Sequence, residues 1–262
     1  MSEAEFQGIK AICFAAAFAL AVGWQRWRPH RALAGSWCAN GGLALVNAVS
    51  LGIVCTGCAC SVAVWASRNE WGLLNQAPML GWLVLPASIL SLDLLAYAWH
   101  RANHRVPVLW RFHQAHHSDP DYTVTTALRF HPGELLLALP IRLVTIAALG
   151  IPVAGVILFE AVFAFANFWE HGNIALPLQA ERKLGRLFVT PALHRQHHSR
   201  HARELDTNYG TIFSLWDRLL GSYVENRSDV RVETGLPGIE DRLGTAGILT
   251  LPLRGSYRGI QS

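Results

Sequence analysis

The feature that most restricts this chain is the stretch 41–66, 26 residues without one charged side chain. A bilayer's hydrocarbon core is about 30 Å thick and accepts a helix of roughly 20 apolar residues. Only a helix or a closed barrel satisfies its own backbone there. Two further runs are of the same kind: 9–24, interrupted by Lys10, and 78–99, interrupted by Asp93. Two shorter ones, 135–149 and 151–169, meet at Gly150 and Pro152 and read as a helical hairpin that returns to the side it entered from. Charged residues make up 15% of the chain, against about a quarter in soluble domains. The fold class expected is therefore all-α, an integral membrane bundle.

The first run could instead be a signal peptide. Its leader MSEAEFQGIK is acidic rather than basic, however, and no small-residue cleavage site follows it, so it reads as a membrane helix. Arg26, Arg28 and Arg31 follow that run, a nearly neutral loop separates the second from the third, and HRANHR follows the third. By the positive-inside rule, the N-terminus is expected outside and the histidine region in the cytoplasm. The net charge of +4 is explained by these arginines, with no nucleic-acid partner implied. Of the five cysteines, Cys55 and Cys58 form a C-x-x-C inside an apolar run. No second pair accompanies it, so it reads as small apolar packing rather than as a metal or disulfide motif.

Chemistry enters with the histidines. Eleven of the twelve lie between positions 100 and 201. They form H-x-x-x-H (His100, His104) and two H-x-x-H-H groups (His113, His116, His117; His194, His197, His198), with His131, His171 and His201 as the remainder. Helical residues three and four apart share a face, so each group is expected to point one way. Thr190 and Pro191 supply a cap and first position for a helix on which His194, His197, His198 and His201 would share a face. A lone H-x-x-x-H is usually accidental. Eight histidines at such spacing, beside membrane helices, have no packing rationale and are read as metal ligands. Metals in such sites take about four to six ligands, so two ions are the economical solution. Imidazole suits iron, copper, nickel and zinc alike, and spacing does not choose among them.

The pattern resembles the fatty acid hydroxylase superfamily, also called the sterol desaturase family. The flanking stretches DLLAYAWHR (93–101), RFHPGE (129–134), HGN (171–173), PALHRQHHS (191–199) and DTNYGTIFSLWDRLLGSY (206–223) are similar as well. The resemblance implies an O2-dependent enzyme with two iron ions that hydroxylates or desaturates a lipid or sterol-like substrate. The eight motif histidines would be ligands, with His131 and His171 completing the two spheres. His201 falls outside the motif and reads as an accessory residue. Metal-bound imidazoles need an acceptor for the other ring N–H. Asp93, a carboxylate in an apolar run, is expected to serve a histidine of another helix, and Asp206 and Asn208 to do the same from the final loop. Tyr97 and Trp99 read as interfacial anchors.

The expected organisation is membrane helices over 1–99, a catalytic region over 100–225 that includes the membrane hairpin at 135–169, and a C-terminal tail over 226–262. Residues 100–131 and 171–225 would form a cytoplasmic cap. The chain has no flavin fingerprint and no haem module, so a separate electron donor of cytochrome or ferredoxin type is implied. Hydroxylation is the leading reading and desaturation by the same site the runner-up. A histidine-rich metal transporter is the alternative of another class, disfavoured because the histidines sit at and beyond the helix ends. Finally, Arg142 and Glu160 lie at matched depth in the two arms of the hairpin, about 12–14 Å from its bend, and are expected to pair.

Overall fold

The computed structural model describes residues 3–32, 35–55, 57–76, 81–225, 232–239 and 241–257. In chain order its helices are α1 (Glu3–Trp27), α2 (Trp37–Cys55), α3 (Cys58–Arg68), α4 (Leu73–Gln76), α5 (Gly81–Arg105), α6 (Pro107–His117), a 3-10 turn (Val124–Leu128), α7 (Pro132–Leu149), α8 (Val153–Glu170), α9 (Leu178–Leu184), α10 (Pro191–His197), α11 (Ala202–Leu205), α12 (Leu215–Leu219), α13 (Thr245–Leu249) and α14 (Leu251–Arg254). Among the described residues there is no strand, only isolated bridges such as Pro29 with Ile174. The all-α expectation holds.

Among the described residues, five segments are long and apolar enough to cross a membrane: Glu5–Trp27, Trp37–Gln76, Gly81–Arg105, Pro132–Leu149 and Val153–Glu170. They follow the five apolar runs, although the start of the third run, 78–80, lies outside the described residues. At 1.5 Å per residue, the 18-residue helices α7 and α8 reach about 27 Å, just the hydrocarbon thickness. α5 continues unbroken past residue 99 to Arg105, so the third membrane helix runs directly into the histidine region.

Local chemistry sets the ends of the hairpin. Pro132 occupies the first turn of α7, where its missing N–H costs nothing, and the His131 ring accepts from the Gly133 amide at 3.0 Å. Gly150 ends α7 at φ 68°, a left-handed conformation open to glycine at little cost. Gly72 packs on it so closely that a Cβ there would stand 2.2 Å from the Gly150 nitrogen. The turn after α3 and the hairpin bend therefore share one end of the bundle. The opposite end gathers the C-terminal end of α1, where the His30 amide donates to Asn173, and the start of α2, where Ser36 and Asn40 donate to Asp119. The short helices from α9 onward and every clustered histidine lie at this second end, whereas α4 stays beside the hairpin bend.

The apolar core between the long helices is built from Leu92, Ile146, Val156 and Phe159 with Ala63 and Cys60. A second cluster, including Leu43, Trp110, Leu236, Ile248 and Leu251, seats the C-terminal segment over α6. Cys58 is disulfide-bonded, which corrects the reading of the C-x-x-C as apolar packing alone; the Cys55 side chain lies outside the described residues.

Candidate metal centre

Each ring arrives by a local rule. His100 and His104 are one turn apart near the end of α5. Pro107 starts α6, turning the chain sharply so that His113, His116 and His117 come back over α5. Thr190 caps α10, accepting from the Leu193 amide, with Pro191 at the first position, as its sequence predicts. His171 caps the C-terminal end of α8.

The rings fall into two buried groups. One holds His100, His104, His113, His117 and His197, the other His116, His171, His194 and His198; within each, one nitrogen per ring lies within 4.8 Å of all the others. The groups abut: His117 stacks on His198 at 4.3 Å, and His113 and His116 are 5.3 Å apart between ring centroids. The expectation that each H-x-x-H-H points one way is corrected here. In both motifs the i,i+4 pair (His113 and His117, His194 and His198) enters one group, and the i+3 ring (His116, His197) crosses to the other. Residues four apart differ by only about 40° around a helix axis, while the intervening one stands on the far side of that pair's line. Each motif therefore feeds both groups.

Acceptors behind the rings fix their tautomers. Nδ1–H of His100 donates to the Tyr209 carbonyl at 2.8 Å, that of His197 to Thr207 at 2.6 Å, and that of His171 to Asn167 at 2.7 Å. His113 Nδ1 lies 2.9 Å from Glu134 Oε1. The second nitrogen, Nε2, then carries a lone pair directed inward. Nε2 of His171 faces Nε2 of both His116 and His194 at 3.0 Å, while Nε2 of His100 and His197 is buried with no hydrogen-bond partner among the described residues. Burial pushes the His197 pKa down to about 3 and that of His171 to about 4, despite the backbone carbonyl each ring donates to. Neutral imidazole is the ligating form. Inward lone pairs without donors are costly in a dry interior and are met by a cation, so the donor sets fit metal.

Not every residue singled out in the sequence joins them. His131 is in neither group: its two nitrogens engage the Gly133 amide and the Leu249 carbonyl. α10 stops at His197 with His198 as its cap, so His201 starts the next short helix, exposed and turned away from the cluster. Asp93 touches no histidine. Its carboxylate accepts from the amides of Ile212 and Phe213 and from the Trp216 indole, at 2.8–3.2 Å. Asn208, at φ 52°, accepts from the Val224 amide and donates to its carbonyl. Asp206 is 3.4 Å from His104 Nδ1. Tyr97 is buried, its hydroxyl bonded to Ser222, not an interfacial anchor.

Two carboxylates escaped the sequence reading. Glu134 receives both His113 and the Asn103 amide, each at 2.9 Å. Glu170 stands 3.7 Å from Nδ1 of His171 and of His194. The available signal was an acid beside a histidine at a membrane-helix end, in RFHPGE and in WEHGN. The Glu134→Ala variant should lose metal about 10–100-fold more readily when the purified protein is titrated with a chelator. Glu134→Gln, which keeps an acceptor, should lose much less; equal behaviour of the two variants would remove Glu134 from this role.

A chamber lined by His100, His113, His116, His171 and His194, together with Glu134 and Glu170, opens beside the rings. It shares Ala96 and Phe163 with a larger apolar cavity of about 210 Å³ between α5, α7 and α8.

Fold and site together define a helical protein of membrane-spanning type that gathers nine buried histidines into two abutting, metal-competent groups. The family model for fatty acid hydroxylase matches residues 85–222, and the chain belongs to that family. An ornithine lipid hydroxylase of Rhizobium tropici is 34% identical over 164 residues, 63% of this chain and 48% of its own. Human alkylglycerol monooxygenase is 31% identical over 162 residues, 62% of this chain and 34% of its own. Cholesterol 25-hydroxylase of Rattus norvegicus is 26% identical over 161 residues, 60% and 53% of the two chains. The matched region is thus between about a third and a half of these relatives' length. No solved structure matches the chain at a significant level.

Proposed function

We propose that this protein is an integral membrane oxygenase that uses two iron ions and O2 to hydroxylate a C–H bond of a lipid or sterol-like substrate. One observation carries the reading: two buried imidazole groups abut beside a chamber that adjoins an apolar, membrane-level cavity. Such a site holds metal where hydrocarbon can reach it. The family's relatives, by name an ornithine lipid hydroxylase, an alkylglycerol monooxygenase, a lathosterol oxidase and a cholesterol 25-hydroxylase, support the chemistry.

Ligands in this reading are His100, His104, His113, His117 and His197 for one ion and His116, His171, His194 and His198 for the other. When bound, the irons supply O2 reduction and hydrogen abstraction. The protein's own residues do the rest. Backbone carbonyls of Asn167, Thr207 and Tyr209 hold the rings in one tautomer, Glu134 orients His113, and the apolar wall excludes water and aligns the substrate. Electrons come from a separate donor of cytochrome or ferredoxin type. The arginines at the clustered-histidine end support an active site facing the cytoplasm, with the turn at 67–76 outside.

Desaturation by the same site is the second reading. It differs in whether a second hydrogen is abstracted, a matter of substrate placement on the ångström scale. Transport is disfavoured because the histidines gather at one end of the bundle rather than threading it. The test compares extracted lipids by mass spectrometry from cells carrying the wild-type chain, the His116→Ala variant, or neither. A product heavier by one oxygen, present with wild type alone, is expected; a product lighter by two hydrogens selects the desaturase. No new product, despite iron in the purified protein, would overturn the oxygenase reading.

A further inference from the structure

The cavity between α5, α7 and α8 has a charged deep end that the site does not use. Its shallow end, at Ala96 and Phe163, adjoins the metal chamber. Its deep end is lined by Leu92, Phe159, Arg142 and Glu160. From His100 to Leu92 along α5 is eight residues, about 12 Å. Arg142 lies about 12 Å from the hairpin bend and about 15 Å from the start of α7, near mid-membrane.

At this depth the expected pair is present, since Arg142 donates to Glu160 Oε1 at 2.5 Å. A third partner was not expected: Lys10, from α1, reaches Glu160 Oε2 at 2.8 Å. Both carboxylate oxygens are thus occupied and the cluster carries a net positive charge. Arg142 also lies over the Phe159 ring, 5.5 Å from its centroid, so the guanidinium is held across the cavity wall. Ions at mid-membrane are expensive and by default mark a function. Joining three helices is one function. Bounding the cavity is another, because extending an apolar ligand past this level would mean displacing paired charges.

We propose that the cavity is the tail subsite for the substrate's hydrocarbon, and that the Arg142–Glu160–Lys10 cluster is its floor and sets the length of tail accepted. This rests on the lipid-oxygenase reading. The ligand class is a lipid whose unbranched apolar chain runs from the metal level towards mid-membrane, for no more than about 12 Å.

The test is photolabelling of the purified full-length protein with fatty acids that carry a diazirine at the methyl end, decanoate and octadecanoate being the probes. In wild type, decanoate should label the α7 and α8 segments around Ile141 and Phe159, and octadecanoate should label them weakly. The double change Arg142→Ala with Glu160→Ala removes the Arg142–Glu160 pair together, so that neither of these two is left buried without the other; Lys10 loses its carboxylate but is about half exposed, and the floor opens. Octadecanoate labelling should then move towards Gly150, and its affinity should rise about fourfold for each methylene newly buried. A volume-retaining double variant, Arg142→Met with Glu160→Leu, controls for folding; it keeps the bulk of the floor but not its charges, so its preference should fall between those of wild type and the opened variant. Equal labelling by both probes in wild type, or an unchanged preference in the opened variant, would overturn the floor. Labelling as expected in a protein that oxidises no lipid would instead leave the subsite standing and remove the oxygenase reading.

Discussion

If each histidine group holds one ion, as proposed, the His197→Ala variant should lose one ion and all oxidation of its substrate while remaining folded. His197 is the ring that α10 sends across to the five-histidine group. Its Nδ1–H is held by the Thr207 carbonyl at 2.6 Å, so Nε2 is aimed inward without freedom to turn. Removing it takes from that group the one ring supplied by α10, leaving rings from α5 and α6 alone on one side of the site, and leaves all four rings of the other group intact. Elemental analysis of purified protein should therefore fall to about half the wild-type iron, with no oxidised lipid in cells. His201→Ala, an exposed residue outside both groups, should retain metal and most activity. His131→Ala should retain metal too, and lose only about 1 kcal/mol of stability, the usual worth of a helix cap. If His131→Ala or His201→Ala sheds iron as His197→Ala does, the division into two groups is wrong.

Asp93→Ala should be the most destabilising single change in the membrane region, and for a structural reason. The carboxylate is fully buried and receives two amides and an indole from the 212–216 segment. Each donor left unmet costs about 1–3 kcal/mol, against a total stability of about 5–15 kcal/mol. The stretch just before it carries Tyr209 and Thr207, whose carbonyls hold His100 and His197, and is tied down where Asp217 accepts from the amides of Tyr209 and Gly210 at 2.7 and 2.8 Å. Loosening it should lower the thermal midpoint by several degrees and release metal secondarily. Asp93→Asn, which keeps one acceptor, should fall between the two. A variant as stable as wild type that nevertheless loses iron would restore the direct link to a histidine that the sequence invites.

The apolar runs determined the helices and pointed to a membrane, since an apolar stretch of this length has few other folds. The spacing of the histidines determined that metal chemistry was at stake, because i,i+4 rings share a face in any helix. Even the Arg142–Glu160 pair was legible, as both residues lie on one hairpin whose bend sets their depth. Lys10 was not, because it reaches Glu160 from a helix 150 positions away in the chain. The allocation of rings followed the same division. Whether His116 joins His113 or His171 depends on where the end of α8 comes to lie beside α6, and whether His131 reaches the cluster depends on what the C-terminal segment offers it, here the Leu249 carbonyl. Asp93 shows the limit most clearly. A buried carboxylate must be paired, so a role was certain from its position, but its partners lie 119–123 residues away. Periodicity is a property of one helix; partnership between helices is decided by packing, and only the tertiary structure contains it.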